Sequence, residues 1–428
     1  MGKKDEDKKT NELQHSLDGC YGEHVTHERL ADFLDFNFDL NRESEENGQP
    51  RFAQCIWGWP GIGKTAHVKE YRSRTAKWKG EDRKWLVSDV PVAQFEEMGD
   101  LHGMPMKCCL VRGMEAGVES SRWVPVEYLS EYEAINWKLD TTVTPRTHMA
   151  PPDWVPLKPG PSILLLDDWN RASVRIIKGI MQLLQNYGMV SWKLPPGCNI
   201  VLTGNPDMQD YLVTSLDSAI LTRIKHITLL PDASEWCVWA TQQDLDPRGI
   251  NFILKYPDMM KPAGASKMSN PRTLAEYFRV SKKFASATEQ KDVENLKMHG
   301  KSLIDDETFS AFITFAAKEN EALVEPDEIL SGTKRSFEHV KNLMGRAESR
   351  IDVLNIICER LYAHIVNPNT KQDDTKIKNF QTWITMECIP EDTRDSLCRR
   401  IAKRRENNAQ KWLLGDKRLR ELILNNLH

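Results

Sequence analysis

One stretch, Gly58-Trp59-Pro60-Gly61-Ile62-Gly63-Lys64-Thr65, constrains this chain more than any other. It has the G-x-x-x-x-G-K-[ST] form of a nucleotide-phosphate loop. A run of strand-like residues, Phe52 to Trp57, precedes it, and Thr65 to Arg74 reads as the helix that follows. In such a strand–loop–helix unit, glycines let the backbone come close to phosphate oxygens and point its N–H groups at them. The helix start adds the positive end of its dipole. Gly58, Pro60, Gly61, Ile62 and Gly63 would form the cradle, with Lys64 on the β- and γ-phosphates and the Thr65 hydroxyl on magnesium. A glycine-rich turn that happens to carry Lys-Thr would show the same letters, so the choice falls to the rest of the chain.

Downstream, short apolar runs alternate with helical patterns. Lys84 to Val90 is a candidate second strand. Ile163-Leu164-Leu165-Leu166-Asp167-Asp168 reads as a buried parallel strand that ends on a carboxylate pair. Ligands of open α/β sheets bind at that end of the strands, where Asp167 can hold magnesium. Arg175 to Tyr187 carries Ile176, Ile177, Ile180, Leu183 and Leu184 at helical spacing, a packing face. Cys198 to Pro206 is a further strand that ends on the polar Asn205, and His226 to Leu230 is the last. The alternation predicts a doubly wound α/β domain.

The flanks read differently. Residues 1–22 are polar and highly charged, the composition of a disordered leader, and lack the apolar core of a signal peptide. His24 to Leu40 reads as a helix capped by Thr26; His24 and His27 lack a third metal ligand nearby. From Val111 to Gly160 the pattern weakens among prolines and tryptophans, which suggests either a long functional loop or a decoration without a role. Beyond Pro231 the pattern turns helical, and Ser269-Asn270-Pro271 is a good helix start. The expected division is a leader (1–22), an α/β nucleotide-binding domain (23–231), a helical lid (232–325) and a helical extension (326–428).

Composition excludes little. With 58 basic and 62 acidic residues the net charge is −4, so no global charge draws the chain to nucleic acid or a membrane. The basic run Arg399-Arg400 and Lys403-Arg404-Arg405 reads as a solvated helix face, with nucleic-acid contact as the alternative. No apolar run approaches the roughly 18 residues of a membrane span. The nine cysteines contain no C-x-x-C pair, which suits reduced thiols and a cytoplasmic setting.

Taken together, these motifs resemble the AAA+ ATPases, and within them the MoxR-like branch. The resemblance covers roughly residues 45–330. Met98 to Pro105 looks like that branch's segment after the second strand. Asp167-Asp168-Trp169-Asn170-Arg171-Ala172 looks like its Walker B strand end, and Thr203-Gly204-Asn205-Pro206 like its sensor 1. Leu216 to Arg223 resembles the helix that carries an arginine finger, and Asn270-Pro271-Arg272-Thr273 the sensor 2 helix of the lid. The resemblance implies an α/β AAA+ P-loop core followed by a helical lid and a helical C-terminal region. It implies ATP and Mg2+ as ligands, with Thr65 and Asp167 on the metal. Asn205 and the residue at 168 would orient the attacking water. Arg272 would sense the γ-phosphate in its own subunit, and Arg223 would act across an interface. The expected working form is then a homo-oligomeric ring, hexameric by analogy, that remodels a client protein. In this branch the client is often a protein with a von Willebrand A domain.

One position departs from the branch: Asp168 stands where Glu is usual. The shorter side chain sets its carboxylate about 1 Å back, a displacement that can cost on the order of 10²-fold in rate. Three functions therefore stay open: an ATP-driven remodeller, a nucleic-acid motor or loader, and an ATP-gated scaffold with very slow hydrolysis. A GTPase is disfavoured by the lack of an N-K-x-D motif.

Overall fold

The computed structural model describes residues 21–115, 118–206, 218–261, 268–284, 290–318, 323–345, 350–404, 408–415 and 419. Almost all of the expected leader, residues 216–217 of the expected finger helix and most of the expected last helix lie outside these. Met1–Trp59 with Gly63–Leu230 forms one compact unit, and Pro60–Ile62 with Pro231–His428 forms another.

The first unit opens with β1 (Glu23–Val25), α1 (His27–Glu46), β2 (Ala53–Trp57), α2 (Lys64–Lys69), the hairpin β3 (Thr75–Trp78) and β4 (Glu81–Lys84), β5 (Leu86–Pro91) and α3 (Met98–His102). An inserted sheet follows: β6 (Met104–Glu115), β7 (Val118–Pro125), α4 (Leu129–Ala134), β8 (Lys138–Leu139) and β9 (Arg146–Ala150). The unit closes with β10 (Ser162–Asp167), α5 (Val174–Asn186), β11 (Cys198–Gly204), α6 (Ser218–Leu221) and β12 (Ile224–Leu229).

Six strands make one parallel sheet in the order β1-β12-β2-β11-β10-β5. Its central strands β2 and β11 are buried along their whole length, and β10 up to its final aspartate. That burial is why Ile163 to Leu166 and Ile200 to Leu202 read as unbroken apolar runs instead of alternating ones. The buried face of α5 packs Ile176, Ile177, Ile180, Leu183 and Leu184 into the same core as Leu164, Leu166, Ile200 and Leu202. Ser173 caps α5 by accepting from the Ile176 N–H, and Tyr187 ends it in the left-handed conformation. The fold class is α/β: a P-loop core with a parallel sheet flanked by helices, followed by an α-helical region.

Three local expectations are corrected. The 111–160 stretch, expected to be a long functional loop or a decoration, is not a loop for most of its length. Much of it is a second, antiparallel sheet in which β6 pairs with β7, β8 and β9. Its core is small (Val111, Val124 and Trp137), and Met104 and Met114 lie exposed on the long strand β6, so no clean alternation marks it in the sequence. His24 lies in β1 and not in a helix, because Glu23–Val25 pairs with Ile227–Leu229 at the sheet edge. The helix after the phosphate loop is short, giving way to a 3-10 turn over Glu70–Ser73.

The second unit holds α7 (Ala233–Gln242), α8 (Pro247–Lys255), α9 (Pro271–Ser281), α10 (Gln290–Leu303), α11 (Asp306–Lys318), α12 (Pro326–Leu330), α13 (Lys334–Met344), α14 (Ile351–Val366), α15 (Asp374–Ile384), α16 (Glu391–Lys403) and α17 (Lys411–Leu414). Two apolar clusters fill it, one built on Phe252, Tyr277, Phe278, Phe312 and Phe315, the other on Leu361, Phe380, Trp383 and Trp412. Among the described residues no helix is long and apolar enough to cross a membrane.

Candidate nucleotide-phosphate site

The sheet order assembles the site. Strands β2, β11 and β10 are neighbours, with Gly204 opposite Trp57 and Leu202 opposite Leu166. The residues that follow them, Gly58, Asn205 and the Asp167-Asp168 pair, therefore emerge side by side at the carboxyl edge of the sheet. That edge is where ligands of open parallel sheets bind.

In the loop itself Gly58, Gly61 and Gly63 all have positive φ, at 146°, 80° and 98°. A side chain is strained in that region, so the loop path requires glycine. Trp59, an odd residue for a phosphate loop, is only 1% exposed, so its indole serves as core. Gly63 is the N-cap of α2 and puts Lys64 and Thr65 in the first turn, where helix N–H groups lack partners within the helix.

Lys64 is buried, and a buried ammonium needs oxygen partners. Its Nζ donates to the carbonyls of Gly58 (2.7 Å) and Trp59 (3.0 Å) and to Asn205 Oδ1 (3.0 Å). The Asn205 amide then continues the chain of bonds, donating from Nδ2 to Asp168 Oδ1 at 2.8 Å. Its backbone is clamped on both sides by Asn170, which donates to the Asn205 carbonyl at 2.8 Å and accepts from the Asn205 N–H at 3.1 Å.

A second focus lies at Asp167. Its Oδ1 accepts from Thr65 Oγ1 at 2.6 Å and from Thr203 Oγ1 at 2.5 Å. Thr203 Oγ1 also accepts the Asp168 N–H at 2.9 Å. A carboxylate beside the threonine hydroxyl of a phosphate loop is a hard oxygen donor set, and it fits Mg2+. The glycine cradle, the buried lysine and the start of α2 fit a triphosphate. Asp168 sits at φ 50°, a left-handed residue at the end of a strand. Such backbone conformations cluster at functional sites. Arg171 lies 3.8 Å from its Oδ2, a half-exposed pair of little energetic weight.

The structure thus brings Lys64, Thr65, Asp167, Asp168 and Asn205 into one bonded network. Arg223 lies in the same unit, on the turn between α6 and β12, with its guanidinium turned back onto the Ala219 carbonyl. Arg272 belongs to the second unit, where it is exposed on the first turn of α9. Asn270 caps that helix, accepting from the N–H groups of Arg272 (3.0 Å) and Thr273 (3.2 Å). Two members of the network carried no role in the sequence reading: Thr203 and Asn170. Both lie in motif segments, but only the sheet register shows that they hold Asp167 and Asn205 in place. No metal-binding cluster of three His, Cys, Asp or Glu side chains occurs among the described residues.

No family model matches the chain, and no curated protein matches it significantly. Partial likeness to solved structures does occur. Hsp104 in its closed state with ATPγS and FITC casein overlaps 57% of this chain and 40% of its own, at 13% identity and a TM-score of 0.30. A putative ATPase from Cytophaga hutchinsonii overlaps 52% of this chain and 50% of its own, at 12% identity and a TM-score of 0.24. A point mutant of RuvB from Thermotoga maritima overlaps 70% of this chain and 75% of its own, at 13% identity and a TM-score of 0.31. The chain spans half or less of the length of the first two. At this level of likeness the functional reading rests on the site's own geometry.

Proposed function

We propose that the protein is a Mg2+-dependent ATPase of the AAA+ class and MoxR type, working as a ring on a client protein. The observation that carries this reading is the junction of two networks on adjacent strands. Thr65 meets Asp167 at 2.6 Å, and Lys64 reaches Asp168 through Asn205. Binding a triphosphate alone needs the loop and the lysine. A second, acidic and amide-bearing focus beside it is what water activation requires.

In this reading the loop N–H groups and Lys64 hold the phosphates, while Thr65 and Asp167 hold the metal, which neutralises charge on the transferred phosphoryl group. Asp168 accepts a hydrogen bond from the attacking water and draws off its proton. Asn205 bridges Lys64 and Asp168, and so fixes the carboxylate relative to the phosphate loop. Thr203 and Asn170 keep both foci in register. Arg223 completes a neighbouring subunit's site, and Arg272 of α9 reports on the γ-phosphate. The client, for which a separate von Willebrand A domain protein is the first candidate, receives the motion.

The test is ATP hydrolysis against protein concentration, for wild type and Arg223→Ala, with particle size followed by light scattering. The expected result is specific activity that rises with assembly and falls about 10³-fold or more in Arg223→Ala, with nucleotide binding intact. Turnover that ignores both assembly and Arg223 would refute the ring reading.

A second reading, an ATP-gated scaffold with very slow turnover, is favoured by Asp168 itself. Its carboxylate is the shorter one, and it is already engaged by Asn205 and Arg171. ATP-dependent assembly without turnover at any concentration would select this alternative.

A further inference from the structure

Behind the phosphate loop lies a hydrogen-bonded relay outside the network described above. Trp57 is the last residue of β2, immediately before Gly58. Its indole Nε1 donates to His226 Nδ1 at 3.0 Å, and His226 Nε2 lies 2.8 Å from the Leu221 carbonyl. Indole N–H is a donor only, so His226 Nδ1 must be the bare, accepting nitrogen. The proton of the neutral ring then sits on Nε2 and is donated to Leu221. This one tautomer satisfies both bonds. The imidazolium cannot, because it would set its Nδ1–H against the indole N–H.

The surroundings agree. Tyr21 packs against both rings, at centroid distances of 5.3 Å to each, and Trp57 stacks on His226 at 6.0 Å. Cys55 is the opposite residue in register. The adjacent Lys225 donates to Asn37 of α1, and burial pushes its pKa down. Burial also pushes the His226 pKa below its ordinary value, against the Leu221 carbonyl, which favours the charged ring.

Leu221 ends α6, and the turn that follows it carries Arg223. The backbone bonds of that turn are Thr222 N–H on Ser218 and Arg223 N–H on Ile220, and Ile220 and Leu221 pack against the core of the unit. His226 adds a hydrogen-bonded tie from the turn to the end of β2. We propose that His226 is a positioning residue: neutral and protonated on Nε2, it locks the Arg223 turn to the end of the phosphate-loop strand through Trp57. The arginine offered to a neighbouring subunit and the loop holding the subunit's own nucleotide then share one rigid connection. This inference rests on the role proposed for Arg223.

Two variants separate positioning from mere packing. His226→Phe keeps a ring and removes both bonds, whereas His226→Gln keeps a donor near the Nε2 position for Leu221. The assay is steady-state ATP hydrolysis by the assembled protein, with nucleotide affinity and assembly measured alongside. We expect His226→Phe to lose at least about tenfold in kcat with unchanged nucleotide affinity, and His226→Gln to recover most of it. In the double variant with Arg223→Ala the losses should overlap instead of multiplying, because both act through one arginine.

Losses that multiply, or a His226→Phe enzyme with wild-type kcat while Arg223→Ala is inactive, would overturn the positioning role alone. An Arg223→Ala enzyme with full activity would instead overturn the arginine reading, and the positioning role with it. Histidine 15N NMR, with the signal assigned by its loss in His226→Gln, reads the ring independently of turnover. The expected signal is an Nε2–H tautomer whose titration midpoint lies below that of an ordinary histidine, and rises in Trp57→Phe. An Nδ1–H tautomer would refute the relay.

Discussion

Asn205→Ala tests the core of the proposed site. The side chain is 2% exposed and makes two bonds to charged groups, accepting from Lys64 at 3.0 Å and donating to Asp168 at 2.8 Å. Truncation removes both and leaves the Asn170 clamp, which uses only the Asn205 backbone. A hydrogen bond to a charged group contributes about 1.5–3 kcal/mol. Lys64 keeps its two carbonyl acceptors, Asp168 is partly exposed to water, and the buried amide itself no longer has to be desolvated. The net cost should therefore be near one such bond, about 2 kcal/mol. In a unit of this size that is a fall in Tm of about 4–8 °C.

Turnover should suffer more. Without its tether, Asp168 is free to swing by an ångström or more, and kcat should fall about 10²-fold. Nucleotide affinity should change by no more than about threefold, because the loop, Lys64 and Thr65 remain. Calorimetry, a fluorescent-nucleotide titration and a phosphate-release assay give the three numbers. Wild-type kcat in a properly folded Asn205→Ala protein would refute the claim that Asp168 works through this amide. A collapse of nucleotide binding with unchanged kcat at saturation would assign Asn205 to the ground state instead.

Further outcomes follow from the same geometry. Thr65→Val removes the hydroxyl that bonds Asp167 and should raise the Mg2+ concentration for half-maximal turnover by about tenfold or more; an unchanged magnesium titration would take Thr65 off the metal. A Cβ on Gly113 would lie 2.5 Å from the Trp137 ring, so Gly113→Val should unfold the inserted sheet locally. Hydrogen exchange should then speed up along β6 and β7 while the six-stranded sheet stays protected. Burial pushes the Cys198 thiol from its ordinary 9.0 up to about 11. Between those values the unfolded chain releases a proton that the folded chain keeps, so stability should fall as pH rises from about 9 towards 11. Denaturant midpoints measured across that window should fall less steeply in Cys198→Ala.

The long, fully buried elements were legible because their residues see no water on either side. Ile163 to Leu166 and Ile200 to Leu202 are apolar without interruption, and α5 shows its buried face at helical spacing. The glycine-rich loop was legible for a different reason, since a positive φ at positions 58, 61 and 63 is tolerated by few other residues. The inserted sheet was hidden. Its strands bury only a small core, expose methionines, and include Pro105 and Gly113 within β6. The edge strand β1 was hidden because three residues carry no periodicity.

By itself the sequence determined which residue types stand at the ends of which strands: glycines and Lys-Thr after β2, paired aspartates at the end of β10, an asparagine after β11. Those identities are local, and local chemistry constrains them. Which strand lies beside which was decided only by the fold. Placing β11 between β2 and β10 gives Lys64 an amide to bond, gives Asp167 the hydroxyl of Thr203, and links Asp168 to the phosphate loop. The same registration sets His226 beside Trp57, far apart in sequence and on neighbouring strands. Hydrogen bonds need atoms within about 3 Å, and only the pairing of strands distant in sequence brings these atoms that close.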